Sequence, residues 1–182
     1  MPSDQPEPSP GAETTVLLQQ AAGLVPESGL RERRLAWQSA RDSLEQLSDP
    51  ACVRELSDLH DSLACLLFNH VRKAGKSNQG SLLLAVGGTG RHEMLPGSDL
   101  DLCLVVENDP DAECEALASA IFTPLWDLGI TVGQAVHSIA SCCQAAAEDQ
   151  TRATALLEGR FLAGDQELFS RLRAELMGPW LQ

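Results

Sequence analysis

The chain has 182 residues, 43% of them hydrophobic, which is enough for one domain with its own buried core. Its formal net charge of −13 argues against a broad basic surface for gripping nucleic acid, while leaving room for a local cation beside a nucleotide. No apolar run approaches the roughly 18 residues that a bilayer span needs, and "MPSDQPEPSPGAE" has acids and prolines where a signal peptide is first basic and then apolar. A cytoplasmic protein without membrane contact is expected.

Residues 1–13, rich in Pro, Ser and acids, are expected to be a disordered tail. The region 14–75 reads as N-terminal helices. "TTVLLQQAAGLV" gives a short one, and "LRERRLAWQSARDSLEQLS" a charged one ending before Pro50. In "ACVRELSDLHDSLACLLFNHVRKAG", apolar residues recur at helical spacing from Val53 to Val71, with Arg72 and Lys73 in the last turn and Gly75 to end it. "KSNQG" is a loop, and 80–177 is the expected functional core with its following helices.

"SLLLAVGG" reads as a strand buried on both faces and closed by glycines. "TGRHEMLPGS" is a turn with room for one helical turn. "DLDLCLVVE" alternates and reads as a second strand. Asp109-Pro110 predicts an N-cap and first-turn proline for a helix through Leu128, ended by Gly129. "ITVGQAVHS" is a third strand, and Ser138 caps a helix to Glu148. "TRATALLEGRFLAG" and "DQELFSRLRAELMG" read as two further helices. The order predicts an α+β (α/β-like) domain around a small sheet. The six cysteines, Cys52, Cys65, Cys103, Cys114, Cys142 and Cys143, form no C-x-x-C pair and read as small buried thiols.

The chemistry concentrates in "AVGGTGRHEMLPGSDLDLCLVV". Residues i and i+2 of a strand share a face, so Asp99 and Asp101 lie together, with Leu100, Leu102 and Leu104 opposite. Two carboxylates about 6 Å apart repel by roughly 3 kcal/mol at an effective dielectric near 20. A divalent cation removes that repulsion, and Mg²⁺ takes one or two carboxylates together with water and phosphate oxygens. Gly87 and Gly88 lack side chains, so a phosphate chain can approach their backbone. Arg91 offers a bidentate phosphate clamp and Ser98 a hydroxyl. Taken singly, each has a plainer reading: a turn, a solvated Arg91–Glu93 pair, a cap. The glycines complete neither G-x-G-x-x-G nor a P-loop.

In combination, a strand ending in Gly-Gly and then Asp-x-Asp on the next strand resembles the DNA polymerase β-like nucleotidyltransferase superfamily. Within it, "VGGTGRHEMLPGSDLDLCLVV" looks like the N-terminal domain of the bifunctional PII uridylyltransferase/uridylyl-removing enzymes. "LWDLGITVGQAVHSIASC" and "TALLEGRFLAGDQELF" are similar to the segments that follow in that family, so the resemblance spans roughly 56–172. It implies a mixed five-stranded sheet, of which three strands are located above. It implies Asp99 and Asp101 as catalytic ligands of Mg²⁺ (or Mn²⁺), and Gly87, Gly88, Arg91 and Ser98 as contacts to a nucleoside triphosphate. The implied reaction transfers UMP from UTP to a tyrosine of the PII nitrogen-signalling protein.

The chain departs from that pattern at three places. The third strand carries no carboxylate, which the superfamily often places there. His137 stands where this family usually has Arg. The family's HD hydrolase and ACT domains are expected to be absent from this chain. His60-Asp61 is an HD dipeptide, but it falls on an amphipathic helix and no histidine precedes it. De-uridylylation and glutamine sensing are therefore not expected. Two alternatives stay open: a nucleotidyltransferase with another acceptor, or a non-catalytic nucleotide-binding regulatory relic.

Overall fold

The computed structural model describes residues 50–73, 80–95 and 97–178. The expected tail at 1–13, the two helices expected before Pro50 and most of the "KSNQG" loop lie outside these residues. In chain order the elements are α1 (Pro50–Lys73), β1 (Ser81–Ala85), a single helical turn α2 (Gly87–Gly90), β2 (Leu100–Val106), α3 (Ala112–Asp127), β3 (Val132–Ser138), α4 (Ile139–Glu148), α5 (Gln150–Leu157), β4 (Arg160–Gly164) and α6 (Gln166–Met177).

Among the described residues the sheet has four strands in the order β3-β2-β1-β4. β2 and β3 are parallel, and β1 runs antiparallel to both β2 and β4. This is the small mixed sheet of the expected α+β class, with four strands where the resemblance implied five. The three strands read from the sequence are present with ends shifted by one to three residues; the first stops at Ala85, and Gly87 and Gly88 fall in the helical turn α2.

β4 corrects the reading of "TRATALLEGRFLAG" as one helix. α5 ends at Leu157 with Glu158 as its C-cap, and Gly159 turns the chain back by donating its N–H to Leu156 O at 3.2 Å. Phe161 and Leu162 then continue an apolar spacing that suits either structure. Tertiary pairing decides: β1 is buried at every position, and its edge away from β2 would hold unpaired peptide groups without β4.

Period-two alternation divides the core. Leu83 of β1 and Leu100, Leu102, Leu104 and Val106 of β2 face Leu59, Leu63 and Phe68 of α1 and Leu117, Ile121 and Phe122 of α3. Leu82 and Leu84 of β1 and Cys103 and Val105 of β2 face Ile139 and Cys142 of α4, Leu156 of α5 and Leu168, Leu172 and Leu176 of α6. Asp101 belongs to this second face by its parity with Cys103. Cys65, Cys103, Cys114, Cys142 and Cys143 are free thiols; Cys103, Cys114 and Cys142 are buried as expected, whereas Cys65 and Cys143 are only half-buried, and the Cys52 side chain lies outside the described set.

Short polar side chains start the helices on this framework. Ser138 caps α4 as expected, accepting from Ser141 N. The cap of α3 is Asp111, two residues past the expected Asp109. Asp111 accepts from Cys114 N at 2.9 Å, while Asp109 accepts from the Ser138 hydroxyl at 3.0 Å. Glu113 and Glu115 in the first turn favour that start through the helix dipole.

Candidate functional site

Asp101 is the second residue of β2, and Asp99 stands one residue before the strand. Asp99 is exposed and Asp101 half-buried. Both line a recess of about 270 Å³ together with Gly88, Thr89, Glu93, Met94 and Ser98. Burial first, and then the charge of Asp99, push the Asp101 carboxyl above its ordinary range. Both causes disfavour the charged form, and a bound cation opposes both.

The backbone around Asp101 is fixed by the glycine turn. Val86 N donates to Asp101 O at 3.1 Å, and Asp101 N donates to Thr89 Oγ1 at 3.0 Å. Gly87 has φ +58°, and a Cβ there would lie 3.0 Å from Asp101 Oδ2. On the other side Gly133 of β3 is the register partner of Asp101, and a Cβ at Gly133 would overlap Asp101 Oδ1. The carboxylate thus sits in a slot between two glycines on different elements.

Arg160, the first residue of β4, closes the back of the turn. It donates to Thr89 O at 3.0 Å and Gly90 O at 3.3 Å, and its Nη1 lies 2.7 Å from Asp61 Oδ2 on α1. Thr89, Gly133 and Arg160 were missed in the sequence. A glycine inside a strand pattern was the available signal for Gly133, since it marks a close approach. Thr89 and Arg160 act through pairings that only the folded sheet creates.

Of the remaining expected contacts, Gly88 and Ser98 line the recess, and Ser98 Oγ accepts from Leu95 N at 3.1 Å. Gly87 borders it through Asp101. Arg91 does not line it. Its guanidinium pairs with Glu93 at 2.7 Å and Glu158 at 2.8 Å on the protein surface, and these hydrogen bonds, Glu93's first, push its pKa above the usual value.

Further along the same sheet face lies a second cavity of about 290 Å³. Val86, Cys103, Ala135, Ala145, Ala155 and Leu156 make it apolar, and His137 and Arg152 add its polar groups. Burial, and then the Arg152 charge, hold His137 below its ordinary pKa, so the ring is neutral near pH 7. His137 Nδ1 lies 3.2 Å from Ser141 Oγ. His60 is buried on α1 with Nδ1 2.7 Å from Leu56 O, on the opposite side of the sheet.

A small mixed sheet between helices, with a carboxylate pair beside a glycine turn, is the architecture expected of a nucleotidyltransferase domain. Residues 36–158 match the family described as "Putative nucleotidyltransferase DUF294", and the chain belongs to that nucleotidyltransferase family. It is homologous to enzymes named bifunctional uridylyltransferase/uridylyl-removing enzyme. It is 35% identical over 149 residues to the one from Haemophilus influenzae (strain 86-028NP), covering 82% of this chain and 17% of that enzyme. The Erythrobacter litoralis enzyme is 36% identical over 156 residues, with 79% of this chain and 17% of the enzyme covered. The Streptomyces coelicolor enzyme is 37% identical over 133 residues, covering 73% and 16%. The chain therefore spans about a sixth of the length of these relatives.

Proposed function

We propose that residues 80–177 form a metal-dependent nucleotidyl-transfer core that moves UMP from UTP to a hydroxyl acceptor, with a tyrosine of PII as the first candidate. The observation that carries this reading is the Asp101 carboxylate, held between Gly87 and Gly133 and facing a recess it shares with Asp99. An all-oxygen donor pair of this kind suits Mg²⁺ or Mn²⁺. Bound between Asp99 and Asp101, the ion would supply charge neutralisation and polarise phosphoryl oxygens.

The chain's own groups do the rest. The glycine turn lets the triphosphate approach the backbone, and the Ser98 hydroxyl offers a further hydrogen bond. The apolar cavity two residues along β2 offers a place for the nucleoside, with Arg152 and the neutral His137 at hand for its polar edge. The acceptor hydroxyl oxygen attacks the α-phosphorus and releases its proton to solvent as the bond from that phosphorus to the oxygen bridging the β-phosphate breaks, and pyrophosphate leaves with that electron pair. Positioning and charge stabilisation carry the catalysis.

A second reading, nucleotide binding without transfer, is favoured by two observations. β3 presents Gly133 and no carboxylate beside Asp101, and Arg91 is already engaged by Glu93 and Glu158. One experiment separates the two. The chain is incubated with labelled UTP, Mg²⁺ and PII, with Asp101→Asn as control, and UTP binding is followed in parallel by calorimetry. Labelled tyrosine and released pyrophosphate, both lost in Asp101→Asn, support transfer. Mg²⁺-dependent binding with no product on any acceptor supports the second reading. UTP affinity unchanged by EDTA overturns the metal-dependent reading of the acid pair, and a chain that binds no UTP overturns both readings.

A further inference from the structure

On the side of the sheet that carries α1, away from the acid pair, three metal-ligand side chains converge. Asp58 and Asp61 stand one helical turn apart on α1, and His92 follows the glycine turn. One carboxylate oxygen of each aspartate and a ring nitrogen of His92 all lie within 4.8 Å of one another.

The details point to a ligand. His92 Nδ1 is 3.5 Å from Asp58 Oδ1. That is long for a hydrogen bond, yet close to the ~3.4 Å edge separating two ligands of a tetrahedral ion with bonds of about 2.1 Å. His92 Nδ1 is itself buried and without a hydrogen-bond partner. Asp61 is only 8% exposed. Its Oδ2 takes the Arg160 guanidinium at 2.7 Å, while its Oδ1 is buried and has no partner. Native structures seldom leave a buried carboxylate oxygen unpaired. Arg160 orients Asp61 as an outer-shell partner orients a metal ligand. Two carboxylates against one guanidinium leave the cluster with an excess negative charge.

We propose that Asp58, Asp61 and His92 form a binding site for a divalent transition metal, with Zn²⁺ as the best match. Imidazole with two carboxylates suits Zn²⁺, whereas Mg²⁺ prefers oxygen alone. Three protein ligands leave at least one position for water. The ion would clamp the turn bearing His92 to α1. The other side of that turn, Gly88, Thr89 and Glu93, lines the recess of the acid pair. Arg160 already links Asp61 to the Thr89 and Gly90 carbonyls. Metal at this place therefore stiffens the wall of the recess without entering it. The inference does not depend on the transfer reaction.

The test uses the full chain, stripped with a chelator and free of nucleotide. Zn²⁺ is titrated against a competing chromophoric chelator, and Co²⁺ serves as the spectroscopic substitute. The expected result is one Zn²⁺ per chain, bound at least tenfold tighter than Mg²⁺, with visible Co²⁺ bands of low coordination. His92→Gln and Asp58→Asn should each weaken binding at least tenfold. The Asp99→Asn/Asp101→Asn double variant should keep it within twofold. Asp58 is exposed, so its substitution leaves the core intact, and melts of the stripped variants check this. Zn²⁺ should raise the melting temperature of the unsubstituted chain and not that of His92→Gln. The proposal is overturned if the unsubstituted chain binds no Zn²⁺, if binding survives both ligand substitutions, or if it disappears with the acid pair.

Discussion

Asp101 is held by a conflict between what its surroundings prefer and what the recess requires. Burial and the Asp99 charge raise its pKa. A carboxyl with a raised folded-state pKa contributes stability that is present below its unfolded pKa and is lost as pH rises through the folded one. Asp101→Asn should therefore stabilise the nucleotide-free domain at pH 7. Asp99 is exposed, so solvent screening cuts the bare repulsion to a gain of about 1 kcal/mol. That gain should shrink toward zero as the pH falls below the ordinary carboxyl value of 3.8. Denaturant melts across pH 3 to 8 measure it; a large loss of stability at pH 7 would instead mark the acids as part of a structural network. Gly133 supplies the companion test. Gly133→Ala drives a Cβ into Asp101 Oδ1, and overpacking of this kind costs about 1–3 kcal/mol. In an Asp101→Ala background the clash is gone, so the same substitution should cost much less. Equal costs in both backgrounds would remove Asp101 as the reason for the glycine. The acid pair itself was legible in the sequence because period-two alternation makes an apolar strand with one-sided acids conspicuous. The slot was not, since Gly133 meets Asp101 only through the β2–β3 register.

The glycine turn α2 is too short to hold itself, and its position is inherited from neighbours. Thr89 ties it to β2, and Arg160 ties it to β4 and through Asp61 to α1. Arg160→Met keeps the length of the stem and removes both links. Breaking a buried ion pair costs about 3–5 kcal/mol, and the partial exposure of Arg160 places the expected loss near 2–3 kcal/mol. Mg²⁺-dependent UTP binding should weaken with it, because the turn loses its support behind the recess. A variant with reduced stability but unchanged nucleotide affinity would show that the turn is fixed by Thr89 alone. The same element explains where sequence reading stopped. α1 and β2 follow from periodicity within each segment, β1 from a short continuous apolar run closed by glycines, and the cap at Ser138 from local chemistry. β4 has no such signature of its own: "RFLAG" becomes a strand because β1 offers it a buried, unpaired edge. The shift of the α3 cap from Asp109 to Asp111 is likewise tertiary, as Asp109 is drawn to the Ser138 hydroxyl at the start of α4. Arg91 had two readings in the sequence. Its two glutamate partners, one of them 67 residues away, give it surface pairing.

At the scale of the whole molecule, charge and site pull in opposite directions. The chain carries a formal net charge of −13, yet the proposed ligand is a polyanion. The acid pair adds to that repulsion locally, and Arg91 is already neutralised by two glutamates. Bare UTP should therefore meet a field that opposes its approach, while the metal-bound nucleotide carries a smaller charge and a cation that the acids attract. Salt distinguishes the two. The Debye length falls from about 30 Å at 0.01 M to about 8 Å at 0.15 M, so the long-range repulsion largely disappears over that range. In EDTA, UTP affinity should be weak and should rise by a few-fold as salt is increased. In Mg²⁺ the dependence should be flatter, since two opposing electrostatic terms are screened together. A site dominated by cations behaves in the opposite way, losing affinity steeply with salt as counterions compete for its lysines and arginines. Calorimetric titrations at three salt concentrations, with and without Mg²⁺, measure all of this. Affinity in EDTA that falls steeply as salt rises would mean that cations outside the acid pair hold the triphosphate. The metal-centred reading of Asp99 and Asp101 would then have to yield to one centred on arginine side chains such as Arg152.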